Sequence, residues 1–429
     1  MLGIQKKLSN SFYAILSLPS TAMGFALSIQ ISALSWILST KYNLRIDEVG
    51  FVWAAGPLAG ILGQVIIGII SDKVWLWGGR RRPFILIGGT LAALMLLALP
   101  NIDFIGKTFG ITSLLIVATV VALTLDLAIN ISFNPTRSII ADVTPEGNAR
   151  TKGYTWMQTI SGFFGVLAYV VGAIFGNYAL IYSGVGIVLL FSIIPTLFIT
   201  ESEIVESDEL PDSLKELDKP APQKSSAGQL FKIYFAHGFT WLGVQTMFIY
   251  IIAYIQQKLA PATQDETGRI IAISFAVLNT VGFILPAFVL EPISEKIGRI
   301  RTHISCVSIM ALGYFGIVAF GKSAISLYIL MAVLGIGWAA VVSLPFAIYS
   351  EKVNKNRMGF YMGIFNLSVV IPQLFASYGS GYIIQNSIDK NIIFIISGVS
   401  LTISSLLWFM VKEEAKKEKE PVVEVPQRH

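Results

Sequence analysis

Residues 71–83 read SDKVWLWGGRRRP, and residues 294–302 read SEKIGRIRT. Each opens with Ser, an acid and Lys, and each runs on to Gly-Arg. Asp72 and Glu295 hold the same place, one in each half of the chain, and each stretch lies between two long apolar runs. A charged motif that recurs between such runs reads as a loop repeated in two related sets of helices.

Working outward from these loops, twelve apolar segments are long enough to cross a hydrocarbon core of about 30 Å. They are 12–39, 48–71, 84–100, 110–140, 153–176, 178–199, 230–257, 269–291, 303–321, 324–350, 358–384 and 391–411. Only Gly176-Asn177 separates the fifth from the sixth, which predicts a tight hairpin. The composition agrees. Of 429 residues, 54% are hydrophobic and 13% charged, and the mean hydropathy is +0.69. Soluble chains carry about 25% charged residues. The 37 glycines suit closely packed membrane helices. One cysteine, Cys306, excludes an internal disulfide and a Cys-rich metal site. His237, His303 and His429 are scattered, and His237 reads as a packed histidine.

Charge sets the orientation. With both termini in the cytoplasm, inner segments hold 24 of the 31 Lys and Arg residues and outer loops hold 7. This is the asymmetry of the positive-inside rule. The N-terminus has no small-residue cleavage site, so its first apolar run is expected to stay as a helix. The expected organisation is a six-helix half over 1–200, a cytoplasmic linker over 201–228, a second half over 229–411 and a charged tail over 412–429. No nucleotide-binding G-x-x-x-x-G-K-[ST] loop is present. No nucleophile–base pattern points to an enzyme, and no nucleic-acid partner is implied.

One span is costly. Residues 123–142 read LTLDLAINISFNPTRSIIAD. An ionised carboxylate at bilayer depth costs about 2.5–3.5 kcal/mol on insertion scales, and Asp126 is the one acid well inside a span. Asn130 follows one turn on and Arg137 about three turns on, so the three share a face. Three turns is about 16 Å, too far for a static Asp126–Arg137 pair. A proton carrier needs a group that is neutral at one stage and charged at another. Desolvation favours the neutral carboxyl and a nearby cation the ionised one.

Together these features resemble the major facilitator superfamily, which implies an all-α membrane fold of twelve helices in two pseudo-symmetric halves. The likeness extends to particular blocks: GRRRPF (79–84), LDLAIN (125–130), PTRSIIAD (135–142), FTWL (239–242), LNTVGFILPAFVLEP (278–292), SLPFAIYS (343–350) and MGIFNLSVVIPQ (362–373). They resemble the proton-coupled sucrose symporters of plants and their animal and bacterial relatives, within the glycoside–pentoside–hexuronide:cation symporters. By position, the resemblance implies that Asp126 is the coupling carboxylate, Arg137 its helix-four arginine and Asn130 a neighbouring polar position. Two departures stand out. Plant members carry aspartates after the TW motif of helix seven, where this chain reads VQTMFIYIIAYIQQ (244–257). Their first helix has a glutamine where GFALSIQ (24–30) has Ser28, with Gln30 two residues on.

Sugars offer apolar ring faces and many hydroxyls, so a site for them needs an aromatic platform and amides. Helices one, four, seven and ten usually line the cavity in this architecture. Candidates are Gln30, Trp241, Gln245, Tyr250 and Trp338, with Asn279, Asn366 and Gln373 on helices eight and eleven. Gating candidates are Asp72, Arg80, Arg81, Arg82, Glu291, Glu295 and Arg299, expected to latch the outward-facing state through charge-assisted bonds. The expected protein is a multi-pass transporter of the cytoplasmic (inner) membrane, a monomer that imports a disaccharide such as maltose or sucrose with protons and needs no other cofactor. A sodium-coupled symporter would usually show more acids on helices two and four. A membrane sugar sensor would usually add a cytoplasmic domain, and retention of Asp126 argues against passive facilitation.

Overall fold

The computed structural model describes residues 3–60, 70, 74–145, 148–201, 227–353 and 358–412. Asp72, most of the inner half of span 48–71, most of the linker and the tail beyond 412 lie outside the described residues.

Twelve helices follow in chain order: α1 (Asn10–Thr40), α2 (Ile46–Trp53), α3 (Arg82–Thr108), α4 (Leu114–Val143), α5 (Asn148–Phe175), α6 (Asn177–Phe198), α7 (Ala227–Leu259), α8 (Gln264–Leu285), α9 (Arg299–Phe320), α10 (Ala324–Lys352), α11 (Tyr361–Asn386) and α12 (Ile392–Trp408). A π-turn, Pro286–Leu290, and a short helix, Glu291–Ile297, prolong α8. Among the described residues, ten of these helices are long and apolar enough to cross a membrane, and α12 is shorter but equally apolar. Only the start of α2 is described as an element, so the twelve-span expectation is tested for the other eleven. Apart from an isolated β-bridge between Leu76 and Gly79, the regular structure of the described residues is helical.

Local signals place the ends. Ser113 accepts a hydrogen bond from the Ile116 N–H at the start of α4, Thr263 one from Glu266 at α8, and Ser323 one from Ser326 at α10. Each satisfies a donor that the first turn leaves open. The α5–α6 hairpin turns on Gly176, whose φ of +87° suits a residue without a Cβ.

Helices before residue 201 pack chiefly with one another, as do those after 227. Between membrane helices apolar burial offers little drive, so close approach and hydrogen bonds hold the packing. Ser132 of α4 donates to the Phe84 and Ile85 carbonyls of α3, against Gly88. Ser404 and Ser397 of α12 donate to the Ala236 and Gly243 carbonyls of α7. The two groups meet along α5 with α8 and α2 with α11. α1 and α7 are the most deeply buried spans, whereas α5 turns apolar side chains such as Phe163 and Phe175 outward.

Candidate functional site

Asp126 lies mid-way along α4 and is only 7% exposed. Its neighbour across the helices is Gln30 of α1. The Gln30 Nε2 amide donates to both Asp126 oxygens, at 3.1 and 3.0 Å. Gln30 opens a π-helical turn, Gln30–Leu34, within α1. Such a turn changes the helical phase, and π-bulges are frequent at functional sites. Gly56 closes the third side, since a Cβ there would lie 3.3 Å from Asp126 Oδ2. Asn130 sits one turn on and its side-chain amide donates to the Asp126 carbonyl at 2.8 Å. Gln30, Asp126 and Asn130 therefore form one buried cluster.

Arg137 stands apart from it. Its guanidinium lies 4.5 Å from the centroid of the Phe133 ring and is exposed, and its backbone carbonyl accepts from the Tyr154 hydroxyl. Among the described residues Asp126 and Arg137 form no ion pair.

The aromatic candidates lie on the other group of helices. Trp241 of α7 and Trp338 of α10 meet edge to face with centroids 6.0 Å apart. Trp338 donates from Nε1 to Asn279 Oδ1 of α8 at 3.3 Å and also contacts Phe248, 5.2 Å away. Trp241 donates from Nε1 to Nε2 of His237, which stacks on Phe365 at 4.7 Å. Trp241, Trp338 and Asn279 thus form a half-buried wall across three helices. On the same group, Gln373 of α11 donates to Gln245 of α7 at 3.2 Å. Asn366 is half-buried and its side chain makes no hydrogen bond among the described residues.

Tyr250 belongs to neither wall. It is fully buried, and its hydroxyl donates to the Ser377 carbonyl of α11 at 2.7 Å. A Cβ at Gly50 of α2 would run into that hydroxyl and into the Ser377 carbonyl. Tyr250 therefore sits in the seam between the two groups, at the end away from the termini. Nearby, Ser35 donates to the Ile249 carbonyl at 2.9 Å and accepts from Trp53. Trp36 donates to the Gln264 carbonyl at 2.8 Å, and the Ile46 N–H donates to Gln385 at 3.1 Å. This end is sealed.

The basic loop is held at the opposite end. Arg80 and Arg81 both bond to Asp142 Oδ2 at the end of α4, at 3.1 and 3.0 Å. Glu201, just past α6, accepts from the backbone N–H groups of Arg80, Arg81 and Arg82 at 2.7, 2.8 and 2.8 Å. A carboxylate there meets the open donors and the positive end of the α3 dipole. The Arg82 guanidinium donates to the Thr196 carbonyl. In the other group Glu291, Glu295 and Arg299 line a cleft of about 560 Å³ together with Lys352. Sequence reasoning assigned no role to Asp142 or Glu201. Asp142 had a signal, as an acid at a charged helix end, whereas Glu201 had none beyond its place after span six.

With this geometry the sequence can be compared with known proteins. A sucrose transport protein of Arabidopsis thaliana is 25% identical over 440 residues, covering 86% of this chain and 83% of that protein. A general alpha-glucoside permease of Schizosaccharomyces pombe is 30% identical over 174 residues, 36% of this chain and 31% of the permease. The crystal structure of the nucleoside transporter NupG superposes with a TM-score of 0.71 at 14% identity, covering 95% of this chain and all of that one, a likeness of fold. The Major Facilitator Superfamily matches residues 16–377 and again 272–428. The helical architecture and this match together make the chain a member of the Major Facilitator Superfamily.

Proposed function

We propose that this chain is a proton-coupled symporter that imports a glycoside, a disaccharide of the maltose or sucrose kind, by alternating access. The observation that carries the reading is Asp126, a carboxylate buried in a membrane span and met by a neutral amide with no ion-pair partner among the described residues. A static structural charge would call for a cation there. The similarity to a sucrose transport protein and to an alpha-glucoside permease supports a sugar as cargo.

In this reading Asp126 loads and releases the coupling proton. Protonated, it donates to a sugar hydroxyl; ionised, it accepts. Gln30 occupies both of its oxygens here, so the carboxylate reaches a sugar only after Gln30 turns aside or α1 and α4 part. The Trp241–Trp338 wall offers the apolar platform, and Asn279, Gln245, Gln373 and Asn366 offer amides. Arg137, nearer the basic end of α4, tunes the proton site as water reaches it. The two six-helix halves, joined by the linker, rock about the site. With termini in the cytoplasm, the sealed end is the outer one, and this is an inward-facing arrangement. Arg80 and Arg81 on Asp142 brace one half in this inward-facing arrangement, so these bonds are not confined to the outward-facing state that they were expected to latch, and Glu291, Glu295 and Arg299 act at the matching place in the other half. The protein works as a monomer in the inner membrane, with the proton as coupling ion.

Counterflow of labelled disaccharides in proteoliposomes, with and without a pH gradient, tests this for the wild type and Asp126→Asn. The variant is expected to lose gradient-driven accumulation and keep exchange. Accumulation that survives in Asp126→Asn removes Asp126 from coupling, and no flux of any disaccharide removes the sugar.

A further inference from the structure

The loop between α2 and α3 carries more than its arginines. Leu76 and Gly79 pair through Leu76 N–H to Gly79 O at 2.9 Å and Gly79 N–H to Leu76 O at 3.0 Å. The two residues between them, Trp77 and Gly78, have φ of +49° and +72°. This is a two-residue hairpin turn that needs positive φ at both positions, where Asn-Gly is the favoured pair. A bulky side chain resists that conformation. Here the first position holds a tryptophan. Trp77 is 66% exposed. Neither it nor Trp75 makes an aromatic contact or hydrogen bond among the described residues.

Val74, Trp75, Leu76 and Trp77 together present an exposed apolar surface. Val74, Trp75 and Leu76 are each 37–39% exposed, and Ile70 is 38% exposed. The base of the hairpin is fixed from behind, through the N–H groups of Arg80, Arg81 and Arg82 on Glu201. Those arginines already have carboxylate or carbonyl partners, so the outward face offers indole and aliphatic surface rather than charge. Indoles favour the headgroup level of a bilayer, where the ring meets acyl chains and the N–H meets water or lipid oxygen.

We propose that residues 74–79 form an interfacial anchor that lays Trp75 and Trp77 in the headgroup layer of the leaflet on the terminus side. The strained turn is kept because it drives Trp77 out to the lipid. The anchor holds the arginine loop against the membrane surface while α2 moves.

The test uses the full chain with Cys306→Ala, carrying Trp77→Cys or Trp75→Cys labelled with bimane. Ile388→Cys, 95% exposed in the loop at the opposite end, serves as the water control. Each is placed in phosphatidylcholine nanodiscs with or without lipid spin-labelled near the headgroup. Spin-labelled lipid is expected to quench positions 75 and 77 about twofold or more and to spare position 388, with iodide showing the reverse. Exchanging part of the phosphatidylcholine for phosphatidylglycerol is expected to leave the quenching unchanged. Iodide quenching at 75 and 77 equal to that at 388 places the tip in water and overturns the proposal. Quenching by neither agent places it against protein and also overturns it. Should Trp77→Cys fail to fold, position 75 decides alone.

Discussion

Gln30 and Asp126 meet through a single amide nitrogen that donates to both carboxylate oxygens, at 3.1 and 3.0 Å. The contact joins α1 to α4 and leaves the carboxylate 7% exposed. A hydrogen bond to a charged group contributes about 1.5–3 kcal/mol, and its loss leaves a buried acceptor open. With Asp126 in its proposed coupling role, Gln30→Leu is therefore expected to slow proton-driven uptake about tenfold or more. Gln30→Glu, which sets two acids together, is expected to stop it. Initial uptake rates in proteoliposomes measure both, and wild-type rates in Gln30→Leu would detach Gln30 from the proton site.

Half of that pair was legible in the sequence and half was not. Asp126 declares itself because a lone acid within an apolar run is costly, and Asn130 follows from the 3.6-residue repeat, whereas Arg137, expected on the same face, lies exposed beside Phe133 and outside the cluster. Gln30 was read as a ligand for sugar, because no periodicity shows which neighbouring helix faces a given residue. The π-turn at Gln30–Leu34 shifts the phase of α1 just where that question arises. Tyr250 shows the same limit. Its place on helix seven suggested a cavity, but Gly50 and the Ser377 carbonyl, distant in sequence, hold it in the seam. Eleven of the spans and the Gly176 hairpin were legible because each depends on local hydrophobicity or turn chemistry.

The seam predicts a gating phenotype. Gly50 has no room for a Cβ beside the Tyr250 hydroxyl, so Gly50→Ala is expected to hold open the end away from the termini, the outer one in the proposed orientation. Ser35 is buried at this seal. Ser35→Cys in the Gly50→Ala background is expected to react with a membrane-impermeant thiol reagent several-fold faster than Ser35→Cys alone. The natural Cys306 is buried and gives little background. Equal labelling rates would show that Gly50 does not limit closure.

Asp142 and Glu201 predict a stability phenotype. Asp142 takes two arginines at 3.0 and 3.1 Å, and all three side chains are largely buried. Asp142→Asn is expected to cost about 1–3 kcal/mol. Glu201→Gln removes a charge from the start of α3 and is expected to cost about 1 kcal/mol. Thermal unfolding in detergent reads both. Because both carboxylates hold the same loop, the double variant is expected to cost less than the sum of the singles. Strict additivity would make the two anchors independent.

The loop before α12 predicts a pH effect of known sign. Lys258 lies 2.8 Å from Asp389, and that contact, with the Asn391 N–H, holds the Asp389 carboxyl below the usual aspartate value. A lowered value means the ionised form favours the folded loop. The contribution is complete above the ordinary value of 3.8 and fades as pH falls through the lower one. Asp389 is 58% exposed, so solvent screens the pair and its contribution stays under about 1 kcal/mol. Asp389→Asn is expected to lower the unfolding temperature slightly at neutral pH and not at all once the acid is protonated. A difference that grows on acidification would reverse the sign.

His237 sets the geometry of the aromatic wall. Trp241 donates from its indole N–H to His237 Nε2 at 3.0 Å, and the imidazole is fully buried against Phe365. The accepting nitrogen carries no proton, so His237 acts on Trp241 as an acceptor that fixes the ring edge-on to Trp338. His237→Phe keeps the stacking and deletes the acceptor, and the freed indole N–H costs about 1 kcal/mol, or about fivefold in sugar KM. In the proposed function the wall orients the sugar and Asp126 carries the proton, so Vmax is expected to change little. His237→Gln offers an amide oxygen in nearly the same place and is expected to recover most of the affinity. If His237→Phe and His237→Gln lose affinity alike, packing rather than acceptance at Nε2 explains the histidine. If either lowers Vmax with KM unchanged, Trp241 is not part of the sugar site.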